Sequence, residues 1–415
     1  MSANRKTQQI PLAQLVPGMF VVELDIPWMQ SPFFKHSRMI ASGHDINKLR
    51  SAGVKLVTID LERGSAPQQV ASEPVSAVTE TQPLNASELQ APTQTHDLSP
   101  GFKKELAIAL RLRSEVKDTV RSINEKLERN LPVDGEAMAP LVDKTLESLQ
   151  RNEQALQTLA HLTGKAQKLV DHAFGSFCLC LNLAAVTGLA KEEMHALGVA
   201  ALLHDSGWMQ LPLHLMGKRS DYTAAERSLA QSHVELGLRM LDSANIDALS
   251  RRIIAEHHEM NDGSGYPKQL KGDQIHPASH ILTVVNTYDE WVHHLNDKPG
   301  MLPTKALRVL YMHAEKGRFA LPCVASLISM LGVYPVTTAV RLNTGEKAVV
   351  EEINPNSHLT PIIRIEYDSN SRPLRSALRV DLSMESTNER SITGVLDPSS
   401  PDDDPARRLV ATVPG

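Results

Sequence analysis

Cysteine is scarce in this chain. The three present, Cys178, Cys180 and Cys323, make neither a disulfide framework nor a zinc-type spacing. Cys178 and Cys180 are two apart, so on a helix they point in different directions and read as buried thiols. Excess positive charge is missing too. A formal net charge of -5 argues against a protein that grips nucleic-acid backbone generically. No apolar run approaches about 18 uninterrupted residues, and the opening "MSANRKTQQIPLAQLVPG" has no signal-peptide core. A cytoplasmic chain with no membrane span is therefore expected. No internal repeat is present.

What remains is ordinary for a folded protein. The 415 residues, 41% hydrophobic and 22% charged, suffice for about two or three domains with a sizeable core. Residues 1–65 read as a small β-rich domain, with "MFVVELDI" and "VKLVTID" as strands and "DINKLRSAG" as a short helix stopped by Gly53. The 66–100 segment, rich in Pro, Ser, Thr, Gln and Ala, buries too little to offset its ordering entropy and reads as a flexible linker. Residues 101–163 form connecting amphipathic helices, about 102–130 and 136–160, which pair with each other or with a second copy of the chain. Five more helical segments follow at about 164–187, 192–204, 224–241, 247–258 and 277–294, within a 164–335 core. Thr223 and Glu226 have capping-box spacing at the start of one of them. Residues 336–397 alternate between apolar runs and Gly or Asn turns, as a small antiparallel β unit does, and 398–415 form a tail.

Histidine is the feature that stands out. Thirteen of the 17 histidines fall between residues 161 and 313. His172 lies on the first of the five segments, His204 and Asp205 end the second, His233 sits within the third, and His257 and His258 end the fourth. A single such histidine is a satisfied core or helix-end residue. Two adjacent pairs at helix ends are harder to explain that way, because so many buried rings without a shared cation would leave donors and acceptors unpaired at about 1–3 kcal/mol each. The spacing favours a metal site inside a helical bundle. Directly after His258 comes Asp262-Gly263-Ser264-Gly265-Tyr266-Pro267. Its two glycines permit backbone angles closed to other residues, and it reads as a rim of that site.

Taken together, "HD" at 204–205, "HVELG" at 233–237, "HH" at 257–258, "DGSGYP" at 262–267 and "LKGDQIHP" at 270–277 resemble the HD-GYP family, a bacterial subgroup of the HD phosphohydrolases. The resemblance covers about residues 165–335. "IPLAQLVPGMFVVELDIPW" is similar to a small domain of unknown function found before such domains, and "GVYPVTTAVRLNTGEKAVVEEINP" to a β-rich extension found after them. It implies a mainly α protein, with a helical-bundle HD-GYP core and small β-rich domains at the N-terminus and C-terminus. The implied activity is hydrolysis of cyclic di-GMP to pGpG or GMP with two divalent metal ions, iron or manganese. The implied partners are cyclic di-GMP and signalling proteins such as a diguanylate cyclase, with a homodimer left open. By position, His172, His204, Asp205, His233, His257, His258 and Asn286 fall on the metal ligands. Asp205 is the bridge between the ions, and His204 and Asp205 are the catalytic pair. Asp262, Gly263, Gly265, Tyr266 and Pro267 form the substrate or partner loop.

Three positions depart from the family. Trp208 stands where a lysine assists the scissile phosphate, and indole brings one neutral N–H and no positive charge. Asn286 stands where an aspartate ligates the first metal, with Asp289 one turn further on. Lys168 stands where a glutamate serves a third metal, which argues against one. "DKPGM" replaces an "RPYR"-like segment, and "HAFGSF" departs from the usual "HSxxVA". Loss of one positioned electrostatic group costs about 10²–10³ in rate, so a slow phosphodiesterase is expected. The alternative is a catalytically degenerate module that binds cyclic di-GMP or a protein partner. A hydrolase for other nucleotides fits less well, given the Gly-Tyr-Pro loop.

Overall fold

A computed structural model describes residues 7–24, 38–40, 46–47, 49–50, 54–60, 63, 100–161, 169–216, 218, 222–293, 300–354, 357–384 and 390–397. The 66–99 stretch, Lys168, most of "DKPGM" and the tail from residue 398 lie outside the described residues. The chain divides into two units, 1–94 and 95–415.

In the first unit, β1 (Thr7–Pro11), β2 (Phe20–Leu24), β3 (Arg38–Met39) and β4 (Leu56–Asp60) form one sheet in the order β1-β4-β2-β3. Every pairing is antiparallel, and Ile10 faces Val57. Alternation turns one set of side chains inward, so Ile10, Val21, Val57 and Ile59 build a small core with Leu12, Leu15 and Met19. The two strands expected from alternation are β2 and β4; β1 and β3 join them.

The second unit opens with α1 (Pro100–Glu128), whose buried face carries Leu106, Leu112, Val116, Val120 and Ile123. It packs on α2 (Ala139–Arg151) and α3 (Glu153–His161) of its own chain. Glu105 of α1 accepts from Ser148 Oγ at 2.7 Å and from Arg151 Nε at 2.9 Å. The helix expected over 136–160 is thus two helices. Asn152 adopts an extended conformation, and its Oδ1 accepts from the Gln154 and Ala155 N–H groups, stopping one helix and capping the next.

At the centre runs α4 (Leu169–Thr187), in which every residue from His172 to Ala184 is buried. Its length and composition are those of a membrane span, but 72% of that window lies inside the protein. It is a core helix. Lys117 of α1 donates to Asp171 at 2.6 Å, tying α1 beside His172. Against α4 lie α5 (Lys191–Leu203), α10 (Pro277–Val292) and α12 (Leu321–Leu331), with α11 (Pro303–Glu315) packed on α10 and α12. Between α5 and α10 come a short turn of 3₁₀ helix at Ser206–Gln210, α6 (Leu213–Met216), α7 (Ala224–Gln231), α8 (His233–Met240) and α9 (Ala248–Glu256). The single helix expected over 224–241 is split at Ser232. The Thr223–Glu226 capping box forms in both directions, Thr223 N to Glu226 at 2.9 Å and Glu226 N to Thr223 Oγ1 at 3.3 Å.

The C-terminal strands β5 (Ala339–Leu342), β6 (Lys347–Glu352), β7 (Ile362–Tyr367), β8 (Pro373–Asp381) and β9 (Ile392–Val395) form an antiparallel sheet ordered β8-β7-β6-β5-β9. Gln154 of α3 holds it to the helices, donating to Ile353 O at 3.1 Å and accepting from Ile353 N at 2.7 Å. All three cysteines are buried and unpaired, and burial raises their thiol pKa values.

Candidate metal centre

Three histidines enter the centre by one device. His204 follows α5, His233 follows the end of α7, and His257 follows α9. Carbonyls in the last turn of a helix lack intrahelical partners. The Nδ1 atoms of His204, His233 and His257 lie 3.0, 2.7 and 2.7 Å from the carbonyls of Ala201, Ala230 and Ile254. A carbonyl only accepts, so each Nδ1 holds the proton and each Nε2 presents a lone pair.

Those lone pairs converge. The Nε2 atoms of His233 and His257 are 3.3 Å apart, as are those of His172 and His204. Asp205 stands between the pairs. Its Oδ2 is 3.5 Å from His172 Nε2 and 3.7 Å from His204 Nε2; its Oδ1 is 3.4 Å from His233 Nε2 and 3.8 Å from His257 Nε2. Asp205 is 5% exposed, and neither oxygen has a hydrogen bond. Burial pushes the pKa values of His204, His233 and His257 below the ordinary imidazole range. Burial also opposes charge on Asp205, but the four surrounding imidazoles outweigh it and hold the carboxyl well below its usual range. On the Oδ1 side, an ionised carboxylate facing the lone pairs of two neutral rings, His233 and His257, is unfavourable by itself. A cation removes the conflict. Donors about 2.1 Å from one ion stand about 3.0–3.4 Å apart, close to the spacings here. Asp205, His233, His257 and His258 make one such group, and His172, His204 and Asp205 a second.

His172 is held differently. Its Nδ1 donates to Asp289 Oδ2 at 2.6 Å, and its Nε2 faces Asn286 Oδ1 at 2.8 Å. Burial lowers its proton affinity, but the Asp289 hydrogen bond and charge outweigh this and lift its pKa to about 9. Asp289 also accepts from His293 Nδ1 at 3.0 Å and, despite burial, is held well below the carboxylate range by His293 and His172.

The chain matches the HD domain family over residues 136–320 and the domain of unknown function DUF3391 over residues 7–138. A cyclic di-GMP phosphodiesterase of Pseudomonas aeruginosa, PA4108, is 29% identical over 368 residues, 88% of this chain and 86% of that protein. The cyclic di-GMP phosphodiesterase response regulator RpfG of Xanthomonas campestris is 27% identical over 225 residues, 53% of this chain and 56% of that one. A solved structure, the HDG"Y"P protein Bd1817 from Bdellovibrio bacteriovorus, aligns at 18% identity with a TM-score of 0.48, covering 79% of this chain and 99% of that one. The chain thus carries a DUF3391 domain followed by an HD domain, and over most of its length it is similar to a cyclic di-GMP phosphodiesterase.

The Asp262–Pro267 loop is anchored from below. Buried Glu259 accepts from the N–H groups of Lys268 and Leu270 at 2.6 and 2.9 Å, and Asp262 accepts from Ser264 N at 2.9 Å. Its two glycines serve different ends. Gly263 has φ of +81°, whereas a Cβ on Gly265 would lie 2.3 Å from Met260 N. The loop brings Tyr266 onto His258, rings stacked with centroids 4.7 Å apart, and the Tyr266–Pro267 peptide is cis.

Trp208, at the position where the resemblance implies a lysine, stacks on His233 with centroids 4.9 Å apart. It packs with Leu211, Leu215 and Ala230 and is 6% exposed. The preceding Gly207 permits this, since a Cβ there would lie 1.9 Å from His233 O. Trp208 is therefore a packed wall of the centre. Sequence reasoning named Asp289 as present but gave it no role, and it did not find Glu290. The signal was helical spacing, because Asp289 and Glu290 lie three and four residues after Asn286 and face the same way.

Proposed function

We propose that this protein is a metal-dependent phosphodiesterase that hydrolyses cyclic di-GMP to pGpG and GMP. The observation that carries the reading is Asp205, a buried carboxylate with no hydrogen-bond donor on either oxygen and two imidazoles facing each. His172, His204, Asp205 and Asn286 would hold one divalent ion, and Asp205, His233, His257 and His258 a second. Imidazole with carboxylate and amide oxygen suits iron or manganese. Such a pair supplies Lewis acidity at a phosphoryl oxygen and an acidified water as nucleophile.

The chain's own residues do the rest. Backbone carbonyls lock the tautomers of His204, His233 and His257, so their Nε2 atoms need no reorganisation. Asp289 likewise holds the Nδ1 proton of His172, whose Nε2 proton an incoming ion would displace. The Asp262–Pro267 loop sets Tyr266 at the rim, over His258. Trp208 brings no ammonium to the leaving oxygen, which makes turnover slow. The two named phosphodiesterases support the substrate class.

Manganese- or iron-loaded full-length chain, incubated with cyclic di-GMP and followed by chromatography for pGpG and GMP, tests this. Slow hydrolysis, lost in Asp205→Ala, is expected. Metal-loaded protein that binds cyclic di-GMP and releases no product replaces the enzyme with a binding module.

A further inference from the structure

Asn286 is the weak member of the first ligand group, and Glu290 bears on it directly. Asn286 Nδ2 donates to Glu290 Oε1 at 3.2 Å, one turn along α10, while Asn286 Oδ1 faces His172 Nε2 at 2.8 Å. A primary amide can point either way. Reversed, Asn286 would set its carbonyl oxygen against the Glu290 carboxylate, acceptor against acceptor, and turn its NH₂ toward the centre. Glu290 thereby selects the orientation that offers oxygen. Donating to a carboxylate also polarises the amide and enriches that oxygen. The charge of Glu290 reaches both ligand groups, since it raises the proton affinity of His172 and of His233.

We infer that Glu290 is a positioning residue for the first metal ion, orienting Asn286 as an oxygen donor and placing a negative charge directly behind that neutral amide. The inference rests on the metal-centre reading above. Asp205 is a single carboxylate shared between two dications; Asp289 places a negative charge behind His172, and Glu290 places one behind Asn286, the neutral ligand of the same group. Outer partners of this kind are worth about 10- to 100-fold in metal affinity.

The test is titration of manganese(II) into metal-free full-length chain, followed by calorimetry and by counting bound ions. Wild type is expected to hold two ions. Glu290→Gln is expected to keep the ion held by Asp205, His233, His257 and His258, which shows that the variant is folded, and to lose about 10- to 100-fold in affinity for the other. In an Asn286→Asp background the carboxylate is built in, so adding Glu290→Gln is expected to change either affinity by less than about twofold. Two ions in wild type and an indistinguishable Glu290→Gln overturn this inference alone. So does an equal loss in both backgrounds, which marks a role in the fold. A wild type that takes up no manganese overturns the metal-centre reading, and this inference with it.

Discussion

Asp205 in the helical core and Glu351 in the C-terminal sheet are both buried carboxylates with no hydrogen bond to either oxygen. Their surroundings make them opposites. Asp205 is ringed by four imidazoles and kept ionised. Glu351 has Arg379 Nε at the edge of reach, 3.5 Å away, and burial lifts its pKa to about 7 despite the charges of Arg379 and Arg364. Near neutrality it is about half protonated, where Asp205 stays ionised. The lesson is that an orphaned carboxylate marks a metal site when other lone pairs converge on it. Standing alone it marks a protonated acid.

The comparison breaks most sharply at Asp205. Asp205→Asn keeps the shape and removes the charge, and is expected to abolish uptake of both ions and lower phosphodiesterase activity by about 10³-fold or more. Glu351→Gln is expected to leave metal content and activity unchanged, as ion counting and product assays would read. Next in size is Trp208. Because it backs His233 and fills an apolar cluster, Trp208→Ala is expected to cost about 3–5 kcal/mol in denaturant unfolding. For the same reason Trp208→Lys buries an ammonium against that cluster and destabilises the fold.

Glu351 gives a smaller effect with a definite sign. Its folded pKa is about 7 against 4.5 for a free glutamate, so the folded state binds the proton more tightly. Stability from this group is full below pH 4.5 and lost as pH rises toward 7. Glu351→Gln is thus expected to stabilise the protein by about 1–3 kcal/mol at pH 8 and not at pH 4, measured by urea unfolding. The smallest signal belongs to His172 in the metal-free chain. With a folded pKa of about 9 against 6.5, its contribution is complete below pH 6.5 and is lost as pH rises through 9. Ring NMR titration should find it protonated at pH 8 while His257 is neutral, and manganese binding there should release its proton.

Much of the centre was legible beforehand, because chemistry and spacing survive in a linear string. The pairs His204-Asp205 and His257-His258 fall at helix ends, and helix ends can be read from periodicity and caps such as Thr223–Glu226. The breaks at Asn152 and Ser232 were not legible. Both lie inside continuous apolar periodicity, where a polar residue reads as surface until its cap hydrogen bonds are seen. Trp208 could be recognised as a missing cation, but its stack on His233 depends on Gly207 letting the two backbones meet.

By itself, then, the sequence determined the residue types, the order of helices and strands, and the set of imidazoles and carboxylates available to meet. Only the tertiary structure decided which nitrogen of each ring faces inward, that both Asp205 oxygens are left without donors, and that Glu290 holds Asn286. Tautomer, desolvation and amide orientation are set by neighbours brought together from distant parts of the chain, and local periodicity carries no record of them.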